Sequence, residues 1–250
     1  SIFYRYANVK QTVSLMAIMK TIRVRLKSLH FTPRVTQWIT GQHLLFCMMI
    51  SIHSAALANS TIVIYGDSLS AGYGIDIKQG WVSLLQNRLL ETGYNYQVVN
   101  ASISGETTAG GRHRINDTLQ KHRPEIIVIE LGGNDGLRGM NLVQMKDNLA
   151  TIILASIDYQ AKVLLMSIEI PPNYGPRYNQ QFRQTYTTLA KEYTVNLVPF
   201  LLKSVATNPA YMQADGIHPK ANAQGMILDN IWPFLTPLLL QPSSEGKTPE

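Results

Sequence analysis

Short apolar runs recur along the chain, each closed by turn residues and followed by a longer stretch with helical spacing. Thr61-Ile62-Val63-Ile64-Tyr65 is β-branched, ends at Gly66 and predicts a buried strand. Further strands are predicted at 96–100, 126–129, 162–166 and 195–198, each built around a short apolar run. Helical spacing runs from Trp81 to Leu90 and stops near Gly93, a residue suited to a helix C-terminus. Other helices are expected around 107–122, 141–160 and 179–193, and from Pro219 to about Leu240, with Pro233 and Pro237 kinking or ending the last one. Repeated β-then-α units predict an α/β domain with a parallel sheet and helices on both faces. In such sheets ligands bind outside the carboxyl ends of the strands, so the segments after each strand are where chemistry is to be sought.

Charge changes the picture at one end only. The formal net charge is +6, but residues 1–58 carry seven Lys/Arg and no acid, leaving 15 basic against 16 acidic residues in 59–250. The basic character therefore belongs to the leader and gives no reason to expect a nucleic-acid partner. Basic residues from Lys20 to Arg34 precede the apolar run Leu44–Ile50, which leads into Ala56-Leu57-Ala58. That order predicts a secretory signal cleaved after Ala58, with Met19 as its natural start and 1–18 as upstream translation. Export to a bacterial periplasm, or secretion, follows. The run is short for a membrane span, and no stable span is expected in the mature protein. Residues 59–240 then form one domain, and 241–250 a loose polar tail. Cys47 is the only cysteine and lies inside the leader, so the mature chain has no disulfide, thiolate metal site or cysteine nucleophile.

Four segments carry candidate chemistry. Gly66-Asp67-Ser68-Leu69-Ser70 follows the first strand. It reads as a polar turn, or as a nucleophile raised to the sheet edge between small neighbours. It is not the G-x-S-x-G elbow, because Ser70 occupies the second glycine position. Gly105, after the second strand, is a turn glycine or a backbone N–H open to an anion. Gly132-Gly133-Asn134 follows the third strand, as a plain turn or as a way to aim an amide back over the strand end. Asp215-Gly216-Ile217-His218-Pro219 sets a carboxylate three residues before a histidine, either as a surface cap or as the acid–base half of a hydrolase site.

Taken together and in this order, the blocks resemble the SGNH (GDSL-type) hydrolases over about 60–240, with Ser68, Gly105, Asn134 and His218 in the four defining positions. The branch it looks nearest to comprises periplasmic thioesterase, lysophospholipase and arylesterase enzymes. Gly66–Gly74, Gly132–Gly139, Pro172-Asn173-Tyr174-Gly175 and Arg177-Tyr178-Asn179 carry that likeness. Glu106 departs from the pattern, standing where an aspartate is common. The resemblance implies a three-layer α/β/α, flavodoxin-like fold with a five-stranded parallel sheet. It also implies an acyl-enzyme on Ser68, His218 as base and Asp215 as its orienter. The oxyanion donors would be the Ser68 and Gly105 N–H groups and the Asn134 amide.

The substrate would be a small-molecule acyl ester or thioester, with neither metal nor other cofactor, and the enzyme a monomer. Tyr73, Ile75, Leu137 and Tyr174 are the candidates to flank the acyl chain, and Gly72 and Gly74 would let the 73–80 loop move as lipid enters. His113 and His122 lie among Arg112, Arg114, Lys121 and Arg123, which reads as a solvated basic helix face. Gly72-Tyr73-Gly74 begins like a dinucleotide fingerprint, but Ile77 replaces its third glycine. Two competing readings are a carbohydrate-directed deacetylase on the same scaffold and a non-catalytic lipid carrier.

Overall fold

In a computed structural model describing residues 60–240, five parallel strands form one sheet in the order β2-β1-β3-β4-β5. They are β1 (Ser60–Gly66), β2 (Tyr96–Asn100), β3 (Ile126–Glu130), β4 (Lys162–Met166) and β5 (Asn196–Val198). Each crosses to the next through helical chain, as parallel pairing requires. The helices are α1 (Ser68–Ala71), α2 (Trp81–Glu91), α3 (Thr108–His122), α4 (Gly133–Leu137), α5 (Leu142–Asp158), α6 (Pro176–Tyr193) and α7 (Gln224–Leu235). The expected leader, its cleavage point after Ala58 and the 241–250 tail lie outside the described residues.

Strand alternation divides the core into two layers. Ile62, Ile64, Val128 and Leu164 face α2 and α7, packing with Leu85, Leu89, Ile227 and Ile231. Val63, Tyr65, Ile129 and Leu165 face the opposite way and pack with Ile115, Ile152, Phe182 and Tyr186 of α3, α5 and α6. Both faces of β1 and β3 are thus buried, which is why these strands read as continuous apolar runs.

The last helix departs from expectation. Pro219 does not begin it: that residue pairs in a β-bridge with Met212, and a 3-10 turn at Ala221–Ala223 precedes α7. Pro233 lies inside α7 and Pro237 in the 3-10 turn that follows. Helix α6 starts earlier than its apolar spacing suggests, because Pro176 occupies the first turn, where its missing N–H costs nothing. Gln224 ties the far end of the chain back to α2, its Oε1 accepting from the Trp81 N–H at 3.0 Å. Helices α1 and α4 are too short to show periodicity, and they carry Ser68 and Asn134.

Candidate active site

Strand β1 ends at Gly66, and the next residue turns the chain sharply. Asp67 caps α1, its Oδ1 accepting from the Leu69 N–H at 3.1 Å, which sets Ser68 at the first helical position. Ser68 Oγ lies 2.8 Å from His218 Nε2, and His218 Nδ1 lies 2.7 Å from Asp215 Oδ2. With Nδ1–H donating to the carboxylate, Nε2 is left as the acceptor for the serine hydroxyl.

The turn holding the histidine is self-braced. Asp215 Oδ1 accepts from the N–H groups of Ile217 and His218 at 2.9 and 3.0 Å, and Gly216 supplies the left-handed φ of 69° that the turn needs. Partial burial pushes the Asp215 carboxyl up, but those N–H groups and the imidazole outweigh it and hold its pKa down at about 2. Gln213 links this turn to the nucleophile's loop: its Nε2 donates to Tyr73 O at 2.8 Å and to Pro219 O at 3.1 Å. The Tyr73 ring lies against His218, with centroids 4.4 Å apart.

Gly105 and Asn134 border the same space. Gly105 has φ 81°, and neither its N–H nor that of Ser68 has a hydrogen-bond acceptor among the described residues. Asn134 sits in the first turn of α4, but its amide is not idle. Nδ2 lies 3.0 Å from both Asp67 Oδ2 and Glu106 O, so each of its N–H groups already has an acceptor. The Arg138 guanidinium donates to Gly105 O at 3.2 Å, tying α4 to the Gly105 loop.

A cleft of about 760 Å³ opens beside Ser68. Tyr73 and Leu137 line it as expected, whereas Ile75 and Tyr174 do not. Ile75 is half-buried beside Gly72, and the Tyr174 hydroxyl donates to Leu137 O at 2.5 Å, which makes it a support for a lining residue. Much of the apolar wall comes from residues with no motif to announce them: Ile168, Ile170, Phe200, Leu202 and Met212. The first pair follows β4 and the others belong to the irregular chain after β5, so only their position at the strand ends could have marked them. Arg114 also departs from expectation. It is not on a solvated face but pairs with Glu106 through both carboxylate oxygens, and its guanidinium stacks 4.0 Å from the Tyr65 ring centroid.

Two further acids were invisible as a pair in the sequence. Asp67 and Glu130 are 2% and 0% exposed; Asp67 precedes Ser68 in the chain and Glu130 bonds to Ser70 two residues beyond it. Glu130 Oε2 accepts from Ser70 Oγ at 2.8 Å and from the Asp67 N–H at 3.2 Å. Desolvation raises both carboxyls, Asp67 to about 6 and Glu130 well above the usual carboxylate range.

A serine, imidazole and carboxylate in one relay, beside two open N–H groups, is the constellation of an acyl hydrolase. Residues 64–225 match the GDSL-like lipase/acylhydrolase family. The chain belongs to this family. Esterase TesA of Pseudomonas aeruginosa is 49% identical over 193 residues, covering 77% of this chain and 96% of that protein. The thioesterase 1/protease 1/lysophospholipase L1 of Escherichia coli K12 is 42% identical over 197 residues, covering 79% and 93%. A crystal structure of TesA superimposes with a TM-score of 0.71 at 52% identity, covering 72% of this chain and all of that one. This GDSL acylhydrolase thus has the SGNH hydrolase fold. No helix among its described residues is long and apolar enough to cross a membrane.

Proposed function

We propose that this protein is a serine esterase for acyl esters and thioesters, including aryl esters, acyl-CoA and lysophospholipids. The observation that carries the reading is the relay from Ser68 Oγ through His218 to Asp215, with separations of 2.8 and 2.7 Å. Ser68 Oγ attacks the acyl carbonyl while its proton passes to His218 Nε2. Asp215 stays ionised, fixes the ring tautomer and stabilises the imidazolium. The tetrahedral oxyanion accepts from the Ser68 and Gly105 N–H groups, and from the Asn134 N–H that otherwise reaches Glu106 O. Collapse of the intermediate expels the alcohol or thiol, which takes the proton from His218. Water, deprotonated by His218, then attacks the acyl-enzyme and frees the acid.

The largely apolar cleft favours an acyl chain over a bare acetyl group, and so an esterase over a carbohydrate deacetylase. TesA and the thioesterase/lysophospholipase relative carry names of this same chemistry. On this reading the enzyme is a monomer, exported after cleavage of residues 1–58. Gel filtration and N-terminal sequencing of protein recovered from the periplasm test those two points. A panel of p-nitrophenyl esters and acyl-CoAs of rising chain length tests the activity. Turnover should rise beyond acetyl and vanish in Ser68→Ala; a rate highest for acetyl would favour the deacetylase instead.

A further inference from the structure

Beside the nucleophile, Asp67 and Glu130 form a pair of carboxyls that the relay does not use. Both belong to segments held rigidly by the sheet: Glu130 ends β3, and Asp67 follows β1, with Gly66 and Glu130 in register. The Asp67 N–H donates to Glu130 Oε2 at 3.2 Å, which sets the two acids side by side. Two like charges cannot both persist in so dry a site, so one proton must remain.

The hydrogen bonds say where it resides. Asp67 uses both oxygens as acceptors, Oδ1 from the Leu69 N–H and Oδ2 from the Asn134 amide. It also lines the same cleft as His218, whose positive charge during turnover favours an anion there. Glu130 is worse placed to be charged. Its Oε2 accepts from Ser70 Oγ and the Asp67 N–H, but its buried Oε1 has no partner among the described residues. The other titratable neighbours do not reverse this order: the wholly buried Tyr186 is itself kept neutral by burial and by Glu130, Asp135 and Asp67.

We propose that Glu130 is a carboxylic acid at neutral pH and that Asp67, left as the single charge of the pair, aims the Asn134 amide at the oxyanion site. Asp67 and Glu130 are then positioning residues, acting through Asn134. This rests on the reading of Asn134 as an oxyanion donor. The proton does two things at once. It keeps one negative charge rather than two near the developing oxyanion, and it leaves Asp67 as the anion to which the Asn134 amide donates. The close fit around Glu130 supports a fixed role: a Cβ on Gly66 would stand 2.6 Å from Glu130 Oε2 and 2.9 Å from Ser70 Oγ.

Infrared difference spectroscopy of wild type against Glu130→Gln at pH 7 tests the protonation with no substrate present. The expected result is a carboxylic-acid carbonyl band in wild type that is lost in the variant; carboxylate bands alone would overturn the proposal. Kinetics test the positioning. Glu130→Leu should lower kcat about tenfold with KM changed less than about twofold, and Glu130→Gln, a neutral donor of similar shape, should restore most of the loss. Equal losses in Leu and Gln would contradict it. If Glu130→Leu does not fold, Asp67→Asn gives the same reading: kcat down about tenfold at constant KM, against an unchanged kcat if the idea is wrong. An infrared band that persists in a protein whose Ser68→Ala variant keeps full turnover would separate failure of the esterase reading from failure of this one.

Discussion

At the scale of single residues, the Ser68–His218–Asp215 relay is already hydrogen-bonded before substrate arrives. His218 has Asp215 on one nitrogen and Ser68 on the other, and Asp215 has two backbone N–H groups on its second oxygen. Replacing Asp215 by Asn keeps the shape but offers the ring the wrong tautomer. We expect kcat to fall at least about a hundredfold in Asp215→Asn with KM little changed, as read by steady-state kinetics on a p-nitrophenyl ester. Asn134→Ala removes a donor that acts only when negative charge develops, so it should cost about 2.7–4 kcal/mol of barrier. That loss should appear in kcat; a variant whose KM alone rises would place Asn134 in ground-state binding. Ser68, Gly105, Asn134 and the Asp215–His218 turn were legible from sequence because each is a short local pattern after a strand or within one turn. The Asp67–Glu130 pair was not, because it depends on strands β1 and β3 being neighbours, and Glu130 reads locally as the polar end of a strand.

At the scale of elements, two short helices hold Ser68 and Asn134 in place, and a buried clamp joins the second of them to the longer frame. The Asp135 carboxylate of α4 accepts from the Thr108 N–H at 2.8 Å and from Thr108 Oγ1 at 2.6 Å, at the start of α3. Asn148 of α5 donates to the same hydroxyl at 3.2 Å. In Asp135→Ala the buried Thr108 N–H and hydroxyl lose their acceptor, which should destabilise the protein by about 1–3 kcal/mol. A urea unfolding curve checks this; an unchanged midpoint would show that water or another group replaces the carboxylate. The strands and long helices could be read in advance because burial on both faces gives a strand a continuous apolar run, and burial along one stripe gives a helix a period. Helices α1 and α4 span four and five residues, too few for any period, and the chain between β5 and α7 is organised by Gln213 and Asp215 hydrogen bonds instead. Those bonds, not apolar spacing, are why α7 begins at Gln224 rather than at Pro219.

At the scale of the whole molecule, burying two acids beneath the sheet edge has a cost that depends on pH. The Asp67 pKa rises from 3.8 to about 6 on folding, mainly by desolvation, and Glu130 rises further in the same direction. The folded state therefore binds more protons than the unfolded chain, and stability falls as pH rises through this window. Asp215 works the opposite way, since its lowered pKa adds stability above the unfolded value and loses it as pH falls towards about 2. Between about pH 4 and 6 the buried pair should dominate, so urea midpoints should decline across that range and do so less steeply in Glu130→Gln. A midpoint that climbs through the same range would mean that the pair ionises freely. The fold thus accepts a less stable floor under β1 and β3 in exchange for a fixed charge beside the nucleophile.

The catalytic expectations hang on one bond, the ester that Ser68 forms with the substrate's acyl group. Reacting the protein with a fluorophosphonate and mapping the adduct by peptide mass tests it most directly. The account predicts a single phosphonylated residue, Ser68, with hydrolysis abolished in step with labelling and both absent from a folded Ser68→Ala protein. Ester turnover that persists in Ser68→Ala, or an adduct on another residue that tracks the loss of activity, would contradict it.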